Sequence, residues 1–307
     1  MPSPTRYYAR GKLLLTGEYA VLDGTVALAV PTRRGQWLQV SETTGDALHW
    51  QSRLSDGSIW LECTFGPDLT LQSASDKAVG ERLAQVLQAA RTLRPEWSGG
   101  ASDAVMQLEF DRSWGLGSSS TLISLIAQWA QVDAFALSEA TFGGSGYDVA
   151  CATAEGALLY RRADGRPLSC PVAFYPSYAD HLYFVHRNQK QDSRKGIAQY
   201  RSRPPDIAKL DYLTQCTHHL LHAQSLEAAQ VVMCTHERTV SELIDMPPVQ
   251  EVLFDDFEGA IKSLGAWGGD FMLVACAHDP TAYFVERGYE TILTYEQMVY
   301  REVMLPA

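Results

Sequence analysis

The run Gly115-Leu116-Gly117-Ser118-Ser119-Ser120 constrains this chain more than any other stretch. Ahead of it, Ala104 to Phe110 alternates as a strand would, and behind it Leu122, Leu125, Ile126 and Trp129 recur at helical spacing from Ser118 to about Val132. A glycine run that opens a helix leaves the first backbone N–H groups unobstructed at the positive end of the helix dipole, which makes an anion site. The serine hydroxyls add donors for phosphate oxygens and ligands for magnesium. An ordinary serine-capped helix after a tight turn satisfies the same pattern. The run is not a Walker loop, because no Gly-Lys-Ser/Thr follows at the required spacing, and not a dinucleotide fingerprint, because the third glycine is missing.

With 307 residues, 46% of them apolar, the chain has enough material for two cores of ordinary domain size. The formal net charge of −11 works against nucleic acid and anionic membrane surfaces as partners, so a phosphorylated ligand needs a local pocket of cations or amides. Cys63, Cys151, Cys170, Cys216, Cys234 and Cys276 are scattered, with no C-x-x-C pair, and read as reduced thiols. Met1 to Thr5 has none of the charged and apolar regions of a signal peptide, and no apolar run approaches membrane-spanning length. The expectation is a cytoplasmic protein with a small-molecule substrate and a homodimer as candidate assembly.

Strand-like segments, Lys12 to Leu15, Gly35 to Val40, Ala47 to Gln51 and Ile59 to Phe65, fill the first part of the chain and predict a largely antiparallel sheet. Val79, Leu83, Val86, Leu87, Ala90 and Leu93 predict a helix capped by Ser75 or Asp76 and stopped before Pro95. Further on, Ala157 to Arg161, Leu182 to His186, Phe271 to Cys276 and Thr291 to Thr294 read as strands. Ile207 to His222, Leu226 to Leu243 and Val249 to Leu264 read as helices, and Ala282 to Gly288 is ambiguous. The turn Ala163-Asp164-Gly165-Arg166-Pro167 is the softest point, giving an expected division into 1–165 and 166–307.

Four separated segments resemble, in order, the signatures of the GHMP kinases, the superfamily of galactokinase, homoserine, mevalonate and phosphomevalonate kinases. Gly11-Lys12-Leu13-Leu14-Leu15-Thr16-Gly17-Glu18-Tyr19-Ala20-Val21-Leu22 is similar to the first motif, above all its mevalonate and phosphomevalonate kinase forms. Gly115 to Ser120 is similar to the ATP phosphate loop, and Gly144-Ser145-Gly146-Tyr147-Asp148-Val149-Ala150 to the segment with the family's catalytic aspartate. Lys262-Ser263-Leu264-Gly265-Ala266-Trp267-Gly268-Gly269-Asp270 is similar to the third motif, whose phosphomevalonate kinase form also has an aspartate after its glycines. Departures are Arg10 for a proline, Arg112-Ser113-Trp114 ahead of the phosphate loop, and Trp267 for a small residue.

The resemblance implies an α/β (α+β) two-domain GHMP kinase fold, with an N-terminal α/β domain bearing the glycine-serine phosphate loop and a C-terminal ferredoxin-like domain. It implies ATP on Gly115, Leu116, Gly117, Ser118, Ser119 and Ser120. It implies Asp148 as the catalytic group beside Lys12, and Ser119 with Glu139 as ligands of Mg2+. Acceptor contacts carried over are Glu18, Ser145, Gly146, Gly268 and Gly269, together with Lys190, Ser193 and Arg194 of the charged loop after His186. A lysine near an aspartate keeps the carboxylate ionised and stabilises charge on a phosphoryl group in transfer. Without the resemblance, Lys12 reads as a surface cation and Asp148 as a helix cap.

The implied reaction is in-line transfer of the ATP γ-phosphoryl group to a small acceptor, mevalonate or phosphomevalonate. The cations Arg10, Lys12, Lys190, Arg194 and Lys195, with the third-motif aspartate, favour phosphomevalonate. Other readings stay open: a GHMP-type kinase for another hydroxylated metabolite, a nucleotide-binding regulator of the same fold without turnover, and a hydrolase using Ser145, although no Gly-x-Ser-x-Gly elbow is present there. His218 and His222 lie four apart on a helix but lack the zinc-protease glutamate, since His219 stands in its place, and a structural or surface role is expected of them.

Overall fold

The computed structural model describes residues 3–189, 193–265, 267 and 269–302, with the backbone alone for 193–195. The chain forms two compact units, and neither is a single run of sequence. The first takes residues 3–11, Arg34–Arg112 and Leu116–Thr153, and the second takes Lys12–Arg33, Ser113–Gly115 and residues 154–302.

In the first unit, strands β1 (Thr5–Leu14), β2 (Ala27–Glu42), β3 (Leu48–Arg53), β4 (Ile59–Phe65), β5 (Leu71–Ala74) and β6 (Ser102–Leu108) run in the order β5-β4-β3-β6-β2, with β1 also on β2. One end of β1 and one end of β2 belong to the second unit. The β3–β6 pair is parallel, and β2–β6, β3–β4 and β4–β5 are antiparallel. Along β6, Ser102, Ala104, Met106 and Leu108 are buried while Asp103 is exposed, the period-2 pattern of a sheet with one covered face. Four helices, α1 (Lys77–Leu93), α2 (Ser118–Ala130), α3 (Ala134–Thr141) and α4 (Tyr147–Ala152), complete the unit. Leu83, Val86 and Leu87 of α1 and Ile123 and Ile126 of α2 join Leu38, Trp50, Leu61, Phe65 and Met106 in one core. Fully burying such a side chain contributes about 1.5–3 kcal/mol, so this stripe is what fixes α2, and with it the glycine-serine run at its start. Helix α1 starts where the Asp76 carboxylate accepts the Val79 N–H at 3.2 Å.

The second unit contains the hairpin β7 (Leu158–Ala163) and β8 (Arg166–Pro171), in which Tyr160 faces Ser169. Its turn residues Asp164 and Gly165 have φ of 50° and 75°, the two-residue geometry that asparagine, aspartate and glycine adopt readily. The turn at 163–167 therefore lies inside one compact unit, and residues 154–165 group in space with the later chain. Ala27 to Ala29 of β2 pair with β7. The remaining elements are β9 (Leu182–His186), α5 (Ser193–Arg201), α6 (Ile207–Leu221), α7 (Leu226–Ile244), α8 (Val249–Leu253), β10 (Ala260–Ser263), β11 (Phe271–Ala275), α9 (Thr281–Glu286), β12 (Ile292–Thr294) and α10 (Tyr295–Met298). The strands form an antiparallel sheet in the order β10-β11-β9-β12.

The helix expected over Val249 to Leu264 ends at Leu253, and the chain returns as β10. Gly259, with φ of 148°, makes the change: a Cβ there would come within 2.6 Å of the Ala275 carbonyl, so only glycine lets the backbone close onto β11. Val185, Ile261, Met272 and Val274 of the sheet pack with Val249, Phe254 and Phe284. A second cluster joins Leu210, Leu213, Val240 and Ile244 to Tyr19, Tyr200 and Trp267. His218 and His222 are both exposed at the end of α6. Among the described residues no helix is long and apolar enough to cross a membrane.

Candidate active site

The 115–120 run, expected as the phosphate loop, has the backbone that its glycines allow. Gly115 and Gly117 sit at φ of 65° and 88°, and Gly117 is the N-cap of α2 with no side-chain cap. Leu116 between them is fully buried, pinning the loop, and Thr121 Oγ1 donates to Gln36 Oε1 at 2.5 Å, tying the first turn to β2. The Thr121 N–H makes the first helical bond, to Gly117 O at 2.9 Å, so the amides of Ser118, Ser119 and Ser120 precede the intrahelical ladder. The three hydroxyls differ. Ser120 is buried and donates to Gly117 O at 2.8 Å, Ser118 is half-buried, and Ser119 is exposed.

Two charged side chains converge on Gly115. Lys12, on β1 and expected beside Asp148, donates from Nζ to the Gly115 carbonyl at 2.9 Å. The Asp270 carboxylate rests against the Gly115 α-carbon, where an added Cβ would overlap it. Asp270 is buried at φ of 55°; its N–H donates to Gln189 O at 2.9 Å and its carbonyl accepts from Arg187 N–H at 2.8 Å. Just upstream, the Trp114 ring meets Phe271 edge-on at 5.6 Å. His186 takes the Asn188 N–H on Nδ1 at 3.2 Å, leaving Nε2 to donate to Ser113 O at 3.2 Å. The third motif and the segment entering the loop are thus fastened to each other. Gly269 is buried, and Gly268 lies outside the described residues.

Glu18, expected to contact an acceptor, is instead wholly buried in an ion pair with Lys262, which is itself wholly buried. Burial pushes the Glu18 carboxyl up, against the pull of Lys262. His236 accepts the Gly17 N–H on Nε2 at 2.8 Å; burial and then Lys262 hold its pKa well below the usual imidazole range, so it is neutral. Its Nε2 lies 3.5 Å from the Glu18 carboxylate without forming an ion pair. Glu237 accepts from Ser263 N–H at 3.1 Å and Ser263 Oγ–H at 2.8 Å, and burial pushes it up to about 7. Sequence reasoning left Lys262 unassigned within its motif and overlooked His236 and Glu237. A signal existed: His236 and Glu237 fall on the same stripe of α7 as Ala229, Met233, Val240 and Ile244, two titratable groups on a mostly apolar helix face.

Asp148 is in the first turn of α4, behind Gly146 as N-cap at φ of 87°, and its carboxylate accepts the Val149 N–H at 3.0 Å. It is half-buried, whereas Ser145 beside it is 8% exposed. Glu139 is exposed on α3. Lys190 lies outside the described residues, as do the side chains of Ser193, Arg194 and Lys195 at the start of α5.

No protein-family model matches the chain, and no curated protein matches it by sequence. Solved structures do. The Streptococcus pneumoniae phosphomevalonate kinase in complex with phosphomevalonate and AMPPNP superposes with a TM-score of 0.68 at 15% identity, over 95% of this chain and 100% of that one. The L. major mevalonate kinase in complex with R-mevalonate gives 0.67 at 15% identity, over 98% and 99%. The Lactococcus lactis galactokinase complexed with galactose gives 0.70 at 11% identity, over 99% and 95%. The chain has the two-domain GHMP kinase fold.

Proposed function

We propose that the chain is an ATP-dependent phosphotransferase that moves the γ-phosphoryl group to a small acceptor, with phosphomevalonate or mevalonate as the acceptor class. The observation that carries this reading is the loop itself: an uncapped helix start with two left-handed glycines, and Lys12 and Asp270 drawn onto the first of them. Likeness in fold to kinases of mevalonate, phosphomevalonate and galactose supports the reaction type.

The chain's own groups divide the work. The Ser118, Ser119 and Ser120 amides bind phosphate oxygens at the positive end of α2. Lys12, by holding the Gly115 carbonyl, aligns the loop and keeps a positive charge beside it. Asp148 orients or deprotonates the acceptor hydroxyl; an acceptor that is already a phosphate is an oxyanion and relies on cations instead. Magnesium takes one or two protein oxygens and otherwise phosphates and water; the exposed Ser119 hydroxyl would hold it in preference to the Ser120 hydroxyl, which already donates to Gly117 O, with the exposed Glu139 as the carboxylate candidate. Among the described residues no three acids, histidines or cysteines gather as a cage, consistent with an ion held largely by nucleotide. When bound, the ion neutralises charge on the phosphates.

Incubation of the protein with ATP and magnesium against mevalonate, phosphomevalonate, galactose and homoserine, followed by mass spectrometry, tests the reading. A gain of one phosphoryl group by phosphomevalonate or mevalonate is expected. Nucleotide binding with no acceptor modified would favour a regulator instead.

A further inference from the structure

Tyr19 has φ of 60° and ψ of −48°, and the Ala20 N–H donates across it to Glu18 O at 2.6 Å. This is a γ-turn of the rare, strained hand, centred on a bulky residue that ordinarily avoids positive φ. Such a conformation persists only where the surroundings over-determine it. Here they do. The Gly17 N–H is held by His236 Nε2 at 2.8 Å, and the Glu18 carboxylate by buried Lys262. The Tyr19 ring stacks 6.1 Å from Tyr200 and presses on Gly196, where an added Cβ would overlap its hydroxyl.

What the turn delivers is the phenolic oxygen, which accepts the backbone N–H of Trp267 at 3.1 Å. The Trp267 side chain is 2% exposed, and its indole N–H has no acceptor among the described residues, so the backbone bond is the polar hold on this position. Three residues on, Asp270 closes against Gly115.

We propose that Tyr19 is a positioning residue for nucleotide binding: its hydroxyl fixes the third glycine segment, and so the seat of Asp270 on the first glycine of the phosphate loop. His236 and the Glu18–Lys262 pair hold Tyr19 in the turn that makes this reach. The assignment rests on the phosphotransferase reading.

Tyr19→Phe keeps the ring and removes the acceptor. Hydrogen exchange across residues 262–270 should quicken, and the Kd for a magnesium complex of a non-hydrolysable ATP analogue should rise about fivefold, the worth of one neutral hydrogen bond. Turnover at saturating nucleotide should change by less than about twofold, a split that a general loss of stability would not produce. His236→Gln, whose Oε1 replaces the Nε2 acceptor, should behave as wild type, and His236→Leu should copy Tyr19→Phe. Unchanged exchange in Tyr19→Phe overturns the proposal, as does quickened exchange with unchanged nucleotide affinity. A wild-type protein that binds no nucleotide instead overturns the phosphotransferase reading, and this assignment with it.

Discussion

The carboxylate of Asp270 occupies the space that a side chain at Gly115 would need. Gly115 also has φ of 65°, so alanine there meets both a backbone penalty and a collision. Gly143 has nearly the same φ, 66°, with nothing within 4 Å of an added Cβ. Gly143→Ala should therefore cost only the backbone term, about 1 kcal/mol, whereas Gly115→Ala should cost about 2–4 kcal/mol and weaken nucleotide binding at least tenfold. Urea denaturation and calorimetric titration read the two quantities. Equal costs at the two sites would mean that the Asp270 contact yields without consequence.

The Glu18–Lys262 pair is wholly buried, which makes its halves unequal to its whole. Removing one partner leaves an uncompensated charge in the interior, at a typical cost of about 3–5 kcal/mol. Lys262→Met should lose stability on that scale, and Glu18→Gln in the same chain should recover a large part of it. A double variant no more stable than Lys262→Met would show that the two groups are not coupled.

Stability should depend on pH through opposite contributions from neighbours on α7. Glu237 is raised to about 7 from the ordinary carboxyl value of 4.5, so its contribution is fully present below about 4.5 and is lost as pH climbs through about 7. Glu18, also raised by burial, acts in the same direction. His236 is depressed well below 6.5, so its contribution is present above 6.5 and is lost as pH falls below it. Glu237→Gln should flatten the decline between pH 5 and 8, on the order of 2 kcal/mol, and His236→Gln should flatten the decline on the acid side. Denaturation midpoints across pH 4–9 would show whether each slope moves with its own residue.

Local signals in the sequence were faithful wherever the structure is local. Asp76 before a 3.6-residue stripe and Pro95 after it marked α1, and the alternation from Ile59 to Phe65 marked β4 to the residue. The turn at Gly115 and Gly117 was legible because backbone at φ of 65° and 88° favours glycine. Failure began where a partner far along the chain decided the outcome. The apolar spacing from Val249 to Leu264 suits a helix, but Gly259 brings the backbone against β11, and sheet pairing wins. Glu18 reads as an acceptor contact from its resemblance, yet it is wholly buried and paired with a lysine 244 positions away. Nothing local to Lys12 announces that the Gly115 carbonyl, 103 positions on, takes its ammonium.

Asp148 bears the catalytic part of the proposal and offers its most direct measurement. Its carboxylate accepts the Val149 N–H at 3.0 Å in the first turn of α4, and asparagine, with an amide oxygen in the same place, keeps that bond. Asp148→Asn should therefore fold as wild type and bind the magnesium nucleotide with nearly unchanged affinity, while losing the charge that orients or deprotonates the acceptor. A positioned base contributes about 10²–10⁴-fold, so with a hydroxyl acceptor the turnover number should fall by that factor. With an acceptor that is already a phosphate there is no proton to remove at neutral pH, and the loss should be smaller. The size of the defect thus separates the two acceptor classes while it tests the residue. Turnover within about twofold of wild type on a hydroxyl acceptor would return Asp148 to the role of a helix-start carboxylate and require another base.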